Sequence, residues 1–496
     1  VLGGYPYPPT AFTPVPVRRR VAGMKFFRLI CVVCLLANVG RAAERLNVVF
    51  FLVDDMGWTD LGCYGSDFYE TPHVDRLAKE GMKFTDAYAA SCVCSPTRVS
   101  ILTGKYPGRL HITHAIPIQG AERIKEPLPL IEAIYKKNLP LEEVTIAEAL
   151  KAGGYATATM GKWHVCWDRE FYPKHQGFDL NVGGNNMGNP GNYFFPYNGK
   201  WRMTPKHPYT RWNTLPDGRK GEYLTDRLTD EAEAYIERNK DRPFFLYLSY
   251  YSVHTPLQAP KKRVAKYEKK PVGKRHSNAI YAAMVESVDQ SVGRVMQRLE
   301  KLGLTEKTVV IFTSDNGGHG KITSHLPLRG NKGNFYEGGI RVPLIVKWPG
   351  VVKSASSCNV PVISTDYYPT LLAMNGLDAR PEQHLDGRSL VPLLKKIGTV
   401  KREALYWHYP NYIGARHPGG ARPCSVIRQG DWKLIESFEN NRLELFNLKD
   451  DLGEQVDLAA KMPAKAKALQ RQLAAWRAKA KVQMPKRNSA YQPSTD

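Results

Sequence analysis

At roughly 100–200 residues per domain, a chain of 496 residues makes about two to four domains, or one large α/β unit with an appendage. Hydrophobic usage of 43% and charged usage of 24% exclude whole-chain disorder, collagen-like repeats and a small disulfide-stapled scaffold. No run approaches the roughly 20 apolar residues of a membrane-spanning helix. The net charge of +23 favours polyanionic partners, but it is concentrated at the ends. Six basic residues and no acid lie in 1–43, and nine basic residues and no acid lie between Lys461 and Arg487. The stretch between is only mildly basic, which argues against a nucleic-acid-binding protein.

Residues 1–23 are Pro-rich without periodicity and read as an extension that precedes the true start. From Met24 the text MKFFRLICVVCLLANVGRAAE has a basic n-region (Lys25, Arg28), a short apolar h-region from Leu29 and a small-residue exit ending near Ala43. This is the pattern of a cleaved signal peptide over 24–43, so the expectation is an exported protein, periplasmic or secreted. Asn47 to Val53 is a continuous apolar run stopped by Asp54-Asp55, as in a buried strand of a mostly parallel sheet. Thr71-Pro72 opens a helix carrying Val74, Leu77, Ala78 and Met82. Thr145 and Glu148 make a capping box before a helix, followed by a strand from Tyr155 to Met160. Further strands are expected at Phe244–Tyr250 and Val309–Thr313. Between them lies a long helix over 278–302 with Ile280, Met284, Val288, Val292, Val295 and Leu299 on its apolar stripe. The segment Gly183 to Trp201 reads as a long surface loop.

Strands alternating with helices over 44–395 imply an α/β domain with a large central, mostly parallel sheet flanked by helices. Over 400–485, short β-like pieces and a basic helix near 463–481 imply a smaller antiparallel α+β subdomain, with 486–496 as a tail. The mature chain keeps Cys63, Cys92, Cys94, Cys166, Cys358 and Cys424. They form no zinc-type pairing pattern, so at least one is expected to serve chemistry.

Three strand ends carry polar groups: Asp54-Asp55, Asp315-Asn316, and His254 soon after the Phe244 strand. In open α/β sheets ligands collect at such ends, and clustered carboxylates with an amide suit Ca²⁺ or Mg²⁺. In Cys94-Ser95-Pro96-Thr97-Arg98, Pro96 is a first-turn residue, which puts Cys94 just before a helix N-terminus. There the free N–H groups favour an anion and Arg98 adds a cation.

The segment CSPTRVSILTG resembles the signature C-x-[PA]-[ST]-R-x-x-x-L-T-G of the type I sulfatases, within the alkaline phosphatase superfamily. NVVFFLVDDMGWTDLGCYG, GKWHV, SVHTPLQAP, TSDNGG, LRGNKGNFYEGGIRVPLIVKWPG and GDWKLI carry the same likeness, in order, over about 47–458. The resemblance implies that a maturation enzyme converts Cys94 to formylglycine (3-oxoalanine), whose hydrate is the nucleophile. It implies Ca²⁺, with Mg²⁺ as the alternative, on Asp54, Asp55, Asp315 and Asn316, touched by residue 94. By the same likeness Arg98 holds the hydrate, Lys162 and His164 contact hydrate and sulfate, His254 faces the ester oxygen, and Lys332 binds sulfate and assists the leaving group. In the implied cycle Asp315 helps deprotonate one hydroxyl for attack on sulfur, and His164 takes the proton of the second as sulfate leaves.

The expected activity is sulfate-ester hydrolysis, on sulfated carbohydrate or aryl sulfate. A phosphonate or phosphate ester hydrolase of the same superfamily, and a non-catalytic binder of sulfated glycans, are the alternatives. His111 is a further candidate for substrate contact, with His114 behind it; Trp58, Asn185, Asn186 and Tyr193 are candidates for a sugar subsite.

Overall fold

The apolar run Asn47–Val53 forms a strand with every residue buried. It is the centre of an eight-stranded sheet in the computed structural model, which describes residues 13, 45–116, 127–197, 214–215, 217–413 and 420–492. The expected signal peptide lies outside them. The chain divides at Glu44, and residues from Arg45 onward form one unit. From edge to edge the strands are Ser356–Cys358, Met82–Phe84, Leu344–Lys347, Thr308–Ser314, Asn47–Val53, Phe244–Ser249, Ala156–Gly161 and Leu180–Val182. Asn47–Val53 pairs in parallel with both neighbours, Val48 standing beside Phe245 on one side and Val309 on the other. Leu344–Lys347 alone runs against its neighbours, so the sheet is mixed but mostly parallel.

Alternation along the central strand divides the core. Val49, Phe51 and Val53 face one layer with helices Leu224–Arg238 and Ala279–Lys301, while Val48, Phe50 and Leu52 face the other with Cys94–Thr103, Ile146–Ala152 and Tyr367–Met374. Each such side chain contributes about 1.5–3 kcal/mol by leaving water. Two expected core positions differ. Met82 lies in a strand, because the helix from Pro72 ends at Glu80 before Gly81. Ile280 is exposed, since the apolar stripe of its helix begins a residue later, after Asn278 caps the Tyr281 N–H at 3.0 Å. The predicted capping box of Thr145 and Glu148 is present in both directions.

A second, antiparallel sheet follows, with strands Leu405–Tyr409, Cys424–Gln429, Trp432–Ser437 and Leu443–Asn447. Helix Pro463–Ala480 covers one face through Leu469 and Leu473 against Ile427, Leu434 and Leu445. The other face, with Trp407, Val426 and Phe446, packs against Tyr88, Val93 and Ile340 beside the Cys94 segment. Beneath that contact Lys433, fully buried, lies 2.9 Å from both Glu337 and Glu454, and Tyr88 donates to Glu337 at 2.6 Å. Lys486–Arg487, expected as tail, instead pairs as a short strand with Leu130–Ile131. Gly183–Tyr197, expected as an exposed loop, is irregular but buries Asn185, Tyr193 and Tyr197. Residues 198–201 of that stretch lie outside the described ones.

Candidate active site

The central strands end in polar residues because their apolar runs stop where the sheet stops. Asp54 and Asp55 follow Asn47–Val53, and Asp315 and Asn316 follow Thr308–Ser314; all four are buried. Asp55 holds φ of 61° and His164 φ of 58°. Left-handed backbone is uncommon outside glycine and concentrates at functional sites. Asp55 is held there by its N–H to Asp315 Oδ1 at 3.2 Å, and His164 by its N–H to the Asn185 carbonyl at 3.1 Å.

Cys94 is the first residue of helix Cys94–Thr103, after an extended Val93. Its Sγ lies 3.5 Å from Asp54 Oδ1, 4.0 Å from Asp55 Oδ1 and 3.7 Å from Lys332 Nζ. Three cations face the three carboxylates. Lys162 Nζ donates to Asp54 Oδ2 at 2.7 Å, and Lys332 Nζ to Asp55 Oδ2 at 2.6 Å. Arg98 donates Nε to Asp315 Oδ2 at 2.9 Å, with a second nitrogen 2.7 Å from the same oxygen. Its remaining arm reaches Ser249 Oγ at 2.6 Å and the Lys162 carbonyl at 3.1 Å. His254 Nε2 lies 3.5 Å from Asp55 Oδ2, while its Nδ1–H donates to the Thr255 carbonyl at 2.8 Å. His164 Nε2–H donates to the Ile116 carbonyl, which leaves Nδ1 buried without a partner.

Burial pushes the Cys94 thiol up to about 12, with Lys162 and Lys332 offsetting only part of it. An unmodified thiol is therefore protonated at neutral pH and a poor nucleophile. Burial also pushes Asp54 up to about 8, aided by the neighbouring carboxylates and opposed by Lys162. Asp55 is buried as well, yet Lys332 and then His254 hold it well below the usual carboxylate range. Burial and the cations Lys162 and Arg98 keep His164 neutral.

These residues fit a hard divalent cation. Ligand atoms of Asp54, Asp55, Cys94 and His254 lie within 4.8 Å of one another. Asn316 donates its amide to Asp55 Oδ1 at 2.7 Å, leaving its Oδ1 buried without a hydrogen bond. Asp54 needs more positive charge than its two basic neighbours supply to ionise at neutral pH. Hard oxygens in that number suit Ca²⁺ or Mg²⁺.

Cys94, Arg98, Lys162, His164, His254, Lys332, Asp54, Asp55, Asp315 and Asn316 thus converge from six separate segments. His111 ends the short helix Pro107–Leu110, and its Nε2 bonds the Lys481 carbonyl at 2.9 Å rather than any of these residues. His114 is a buried packing residue, accepting the Ala115 N–H at Nδ1 and donating from Nε2 to the Tyr412 carbonyl at 3.1 Å; burial lowers it to about 4. The expected sugar-subsite residues make contacts within the protein. Trp58 stacks near Arg341, and Asn186 donates to the Trp167 carbonyl at 3.0 Å. Asn185 holds His164 through its carbonyl. Tyr193, fully buried, directs its hydroxyl at the carbonyls of Tyr251, 2.6 Å, and His254, 2.8 Å. Ser249 was missed, although it is the polar end of the apolar strand FFLYLS; it braces Arg98 and donates to the Lys162 carbonyl at 2.8 Å. Gly317 is required by packing: a Cβ there would meet the Gly338 carbonyl oxygen at 1.9 Å, so the turn after Asn316 closes directly onto the helix following the Lys332 loop.

The sulfatase family model matches residues 46–377, and the model for the C-terminal region of N-sulphoglucosamine sulphohydrolase matches 331–480. A sulfatase of Formosa agariphila is 35% identical over 482 residues, covering 85% of this chain and 86% of its own. Human arylsulfatase A is 32% identical over 418 residues, covering 79% and 75%. Among solved structures, Ps i-CgsB in complex with k-i-k-neocarrahexaose superimposes with a TM-score of 0.71 at 30% identity, over 87% of this chain and 93% of that one. With the Cys94 segment, the strand-end acids and the basic side chains around them all inside the matched region, this chain belongs to the sulfatase family and is a sulfuric ester hydrolase.

Proposed function

We propose that the protein is an exported, Ca²⁺-dependent sulfatase of sulfated carbohydrates whose nucleophile is the formylglycine hydrate made from Cys94. The observation that carries this reading is the pairing at one point of a buried, protonated thiol with Lys332 at 3.7 Å and Asp54 at 3.5 Å. A thiol with its pKa near 12 is misplaced as a nucleophile there, whereas an oxidised residue 94 suits the cationic surroundings. The hydrate supplies two hydroxyls on one carbon, one to attack sulfur and one whose proton loss lets sulfate depart.

Ca²⁺ would be held by Asp54, Asp55, Asp315 and Asn316, where it supplies charge against sulfate oxygens and lowers the pKa of the attacking hydroxyl. Asp54, Asp55 and Asp315 balance Arg98, Lys162 and Lys332, so a divalent ion leaves the charge that a sulfate monoester and one ionised hydroxyl neutralise. Lys162 and Lys332 face the sulfate oxygens with preorganised cations, the arrangement that stabilises charge developing in the transition state. Lys332 stays protonated through Asp55 despite burial, which suits it to donate a proton to the departing alcohol. His254 faces the same side through Nε2. The free Nδ1 of His164 is the acceptor for the proton of the second hydroxyl. Ser249 and Arg98 fix the angle between nucleophile and Asp315.

The carbohydrate preference draws on the neocarrahexaose complex of Ps i-CgsB. Export draws on the 24–43 pattern. Among the described residues, no helix is long and apolar enough to cross a membrane. The test is peptide mass spectrometry across residue 94 on protein from its native exported fraction, with turnover of an aryl sulfate and of the matching aryl phosphate. A formylglycine mass with faster sulfate turnover is expected. An unmodified thiol in an active preparation would overturn the mechanism, and faster phosphate turnover would favour the phosphonate or phosphate ester reading.

A further inference from the structure

The segment after Asp457 carries a charge pattern that the reaction does not use. From Leu458 to Thr495 it has no acidic residue, and nine Lys or Arg lie between Lys461 and Arg487. Helix Pro463–Ala480 buries Ala466, Leu469 and Leu473 against the second sheet. The opposite face is exposed, and apart from Pro463 at its start it presents only Lys, Arg and Ala. Lys461, Lys467, Arg471, Lys479, Lys481 and Lys486 are all exposed. None of these six has an ion-pair partner among the described residues.

Several cations elsewhere in the molecule sit in ion pairs. Arg227 pairs with Glu231, Arg294 with Asp230, Arg298 with Glu237, and Lys266 with Glu70 and Glu286. Lys467 and Arg471, by contrast, stand four residues apart on one helix face, where like charges are destabilising by a few tenths of a kcal/mol. The small alanines between the long basic side chains leave room for a polymer to lie close to the helix.

We propose that this face, continued by the segment to Lys486, docks the chain of a sulfated polysaccharide and holds the enzyme on a polymeric substrate while the Cys94 site turns over its esters. The inference rests on the sulfatase reading above. The surface chemistry selects this polyanion over two others. Single-stranded nucleic acid binding uses free aromatic faces for base stacking, but Trp476 is stacked on Tyr406 at 4.8 Å and against Tyr106 at 5.4 Å. An interfacial membrane helix presents large apolar residues opposite its cations, whereas Leu469 and Leu473 are buried in the protein and the exposed face offers only alanine between its charges.

The test uses the full chain and iota-carrageenan as the probe, beside the same galactan after chemical desulfation. Lys467→Ala, Arg471→Ala and Lys479→Ala are combined; alanine is the strongest helix former, so the helix is retained. A second triple variant, Lys301→Ala, Lys353→Ala and Lys401→Ala, removes the same charge from exposed positions elsewhere. Binding of the helix variant should fall roughly tenfold at low salt, with a flatter salt dependence, while the control binds as the parent does. Turnover of a small aryl sulfate should be equal in all three. Equal losses in both triple variants, unchanged binding in the helix variant, equal binding to desulfated polymer, or tighter binding to single-stranded DNA or anionic vesicles would each overturn the proposal. Failure of the parent to hydrolyse the aryl sulfate would instead count against the sulfatase reading, since docking is scored by binding alone.

Discussion

Lys433→Met tests how the second sheet secures the reaction centre. Lys433 is fully buried and serves Glu337 and Glu454 together, each 2.9 Å away, while the Glu337 N–H donates to Glu454 Oε2 at 2.6 Å. Against the opposing effect of burial, Lys433 and two arginines hold Glu337 down to about 2; burial pushes Glu454 up to about 7. Methionine fills the volume but leaves buried carboxylates without their shared cation, a loss of about 3–5 kcal/mol. With an unfolding entropy of about 2.1 cal/mol/K per residue over roughly 450 residues, this lowers the thermal midpoint by about 3–5 °C. The sign of the pH dependence follows from Glu454. Its raised folded pKa means that stability falls as pH rises from its ordinary value of 4.5 toward 7, and removing the cation makes that fall steeper. The gap between variant and parent should therefore be wider at pH 8 than at pH 5 in scanning calorimetry, and adding Glu454→Gln should recover part of it. Because Glu337 opens the helix after the Lys332 loop and Gly317 packs on Gly338, aryl sulfate turnover should fall with stability. A loss below about 1 kcal/mol, or a gap that widens on acidification, would refute this account of the triad.

Cys94→Ala should lower aryl sulfate turnover by at least about 10³-fold while leaving the thermal midpoint near the parent value, because on the proposed mechanism it removes the nucleophile but not a large packed side chain. Lys332→Ala should reduce kcat/KM by about 10²–10³, whereas His111→Ala, whose ring is engaged at the Lys481 carbonyl, should leave both kinetic constants unchanged. Tyr193→Phe removes the hydroxyl that meets the His254 carbonyl at 2.8 Å; a loss of about 1 kcal/mol in transition-state stabilisation, read as kcat with KM near constant, is expected. Asp289 accepts the His73 and Val74 N–H groups at 2.9 and 2.8 Å, and burial pushes it up to about 7. Since ionising it in the fold is unfavourable, the parent loses stability as pH rises from about 4 to 7. Asp289→Asn keeps the acceptor without the charge, so its urea midpoint should gain on the parent between pH 4.5 and pH 8.

What could be read from the residues alone follows from what each feature depends on. The central strands were legible because full burial on both faces makes an unbroken apolar run, and the acids that end Asn47–Val53 and Thr308–Ser314 mark where the sheet meets solvent or ligand. The capping box at Thr145 was legible for the same local reason. The short strands Met82–Phe84, Leu344–Lys347 and Ser356–Cys358 were not, because three or four residues carry no period and Met82–Phe84 takes both its partners from more than 250 residues away in sequence, Met82 standing beside Val346 and Ser356. The same limit governs the site. The Cys94 segment shows its cation and its helix start within five residues, and the likeness to a family supplied the distant partners Lys162, His254 and Lys332. Proximity in sequence does not foretell the partner of His111: left-handed backbone after a single helical turn sets its ring against the carbonyl of Lys481, a residue 370 positions away. Tyr193 shows the converse. An aromatic residue in a Gly- and Asn-rich stretch has the composition of a sugar platform, yet it is buried with its hydroxyl on the carbonyls of Tyr251 and His254, where it holds the backbone that carries that imidazole.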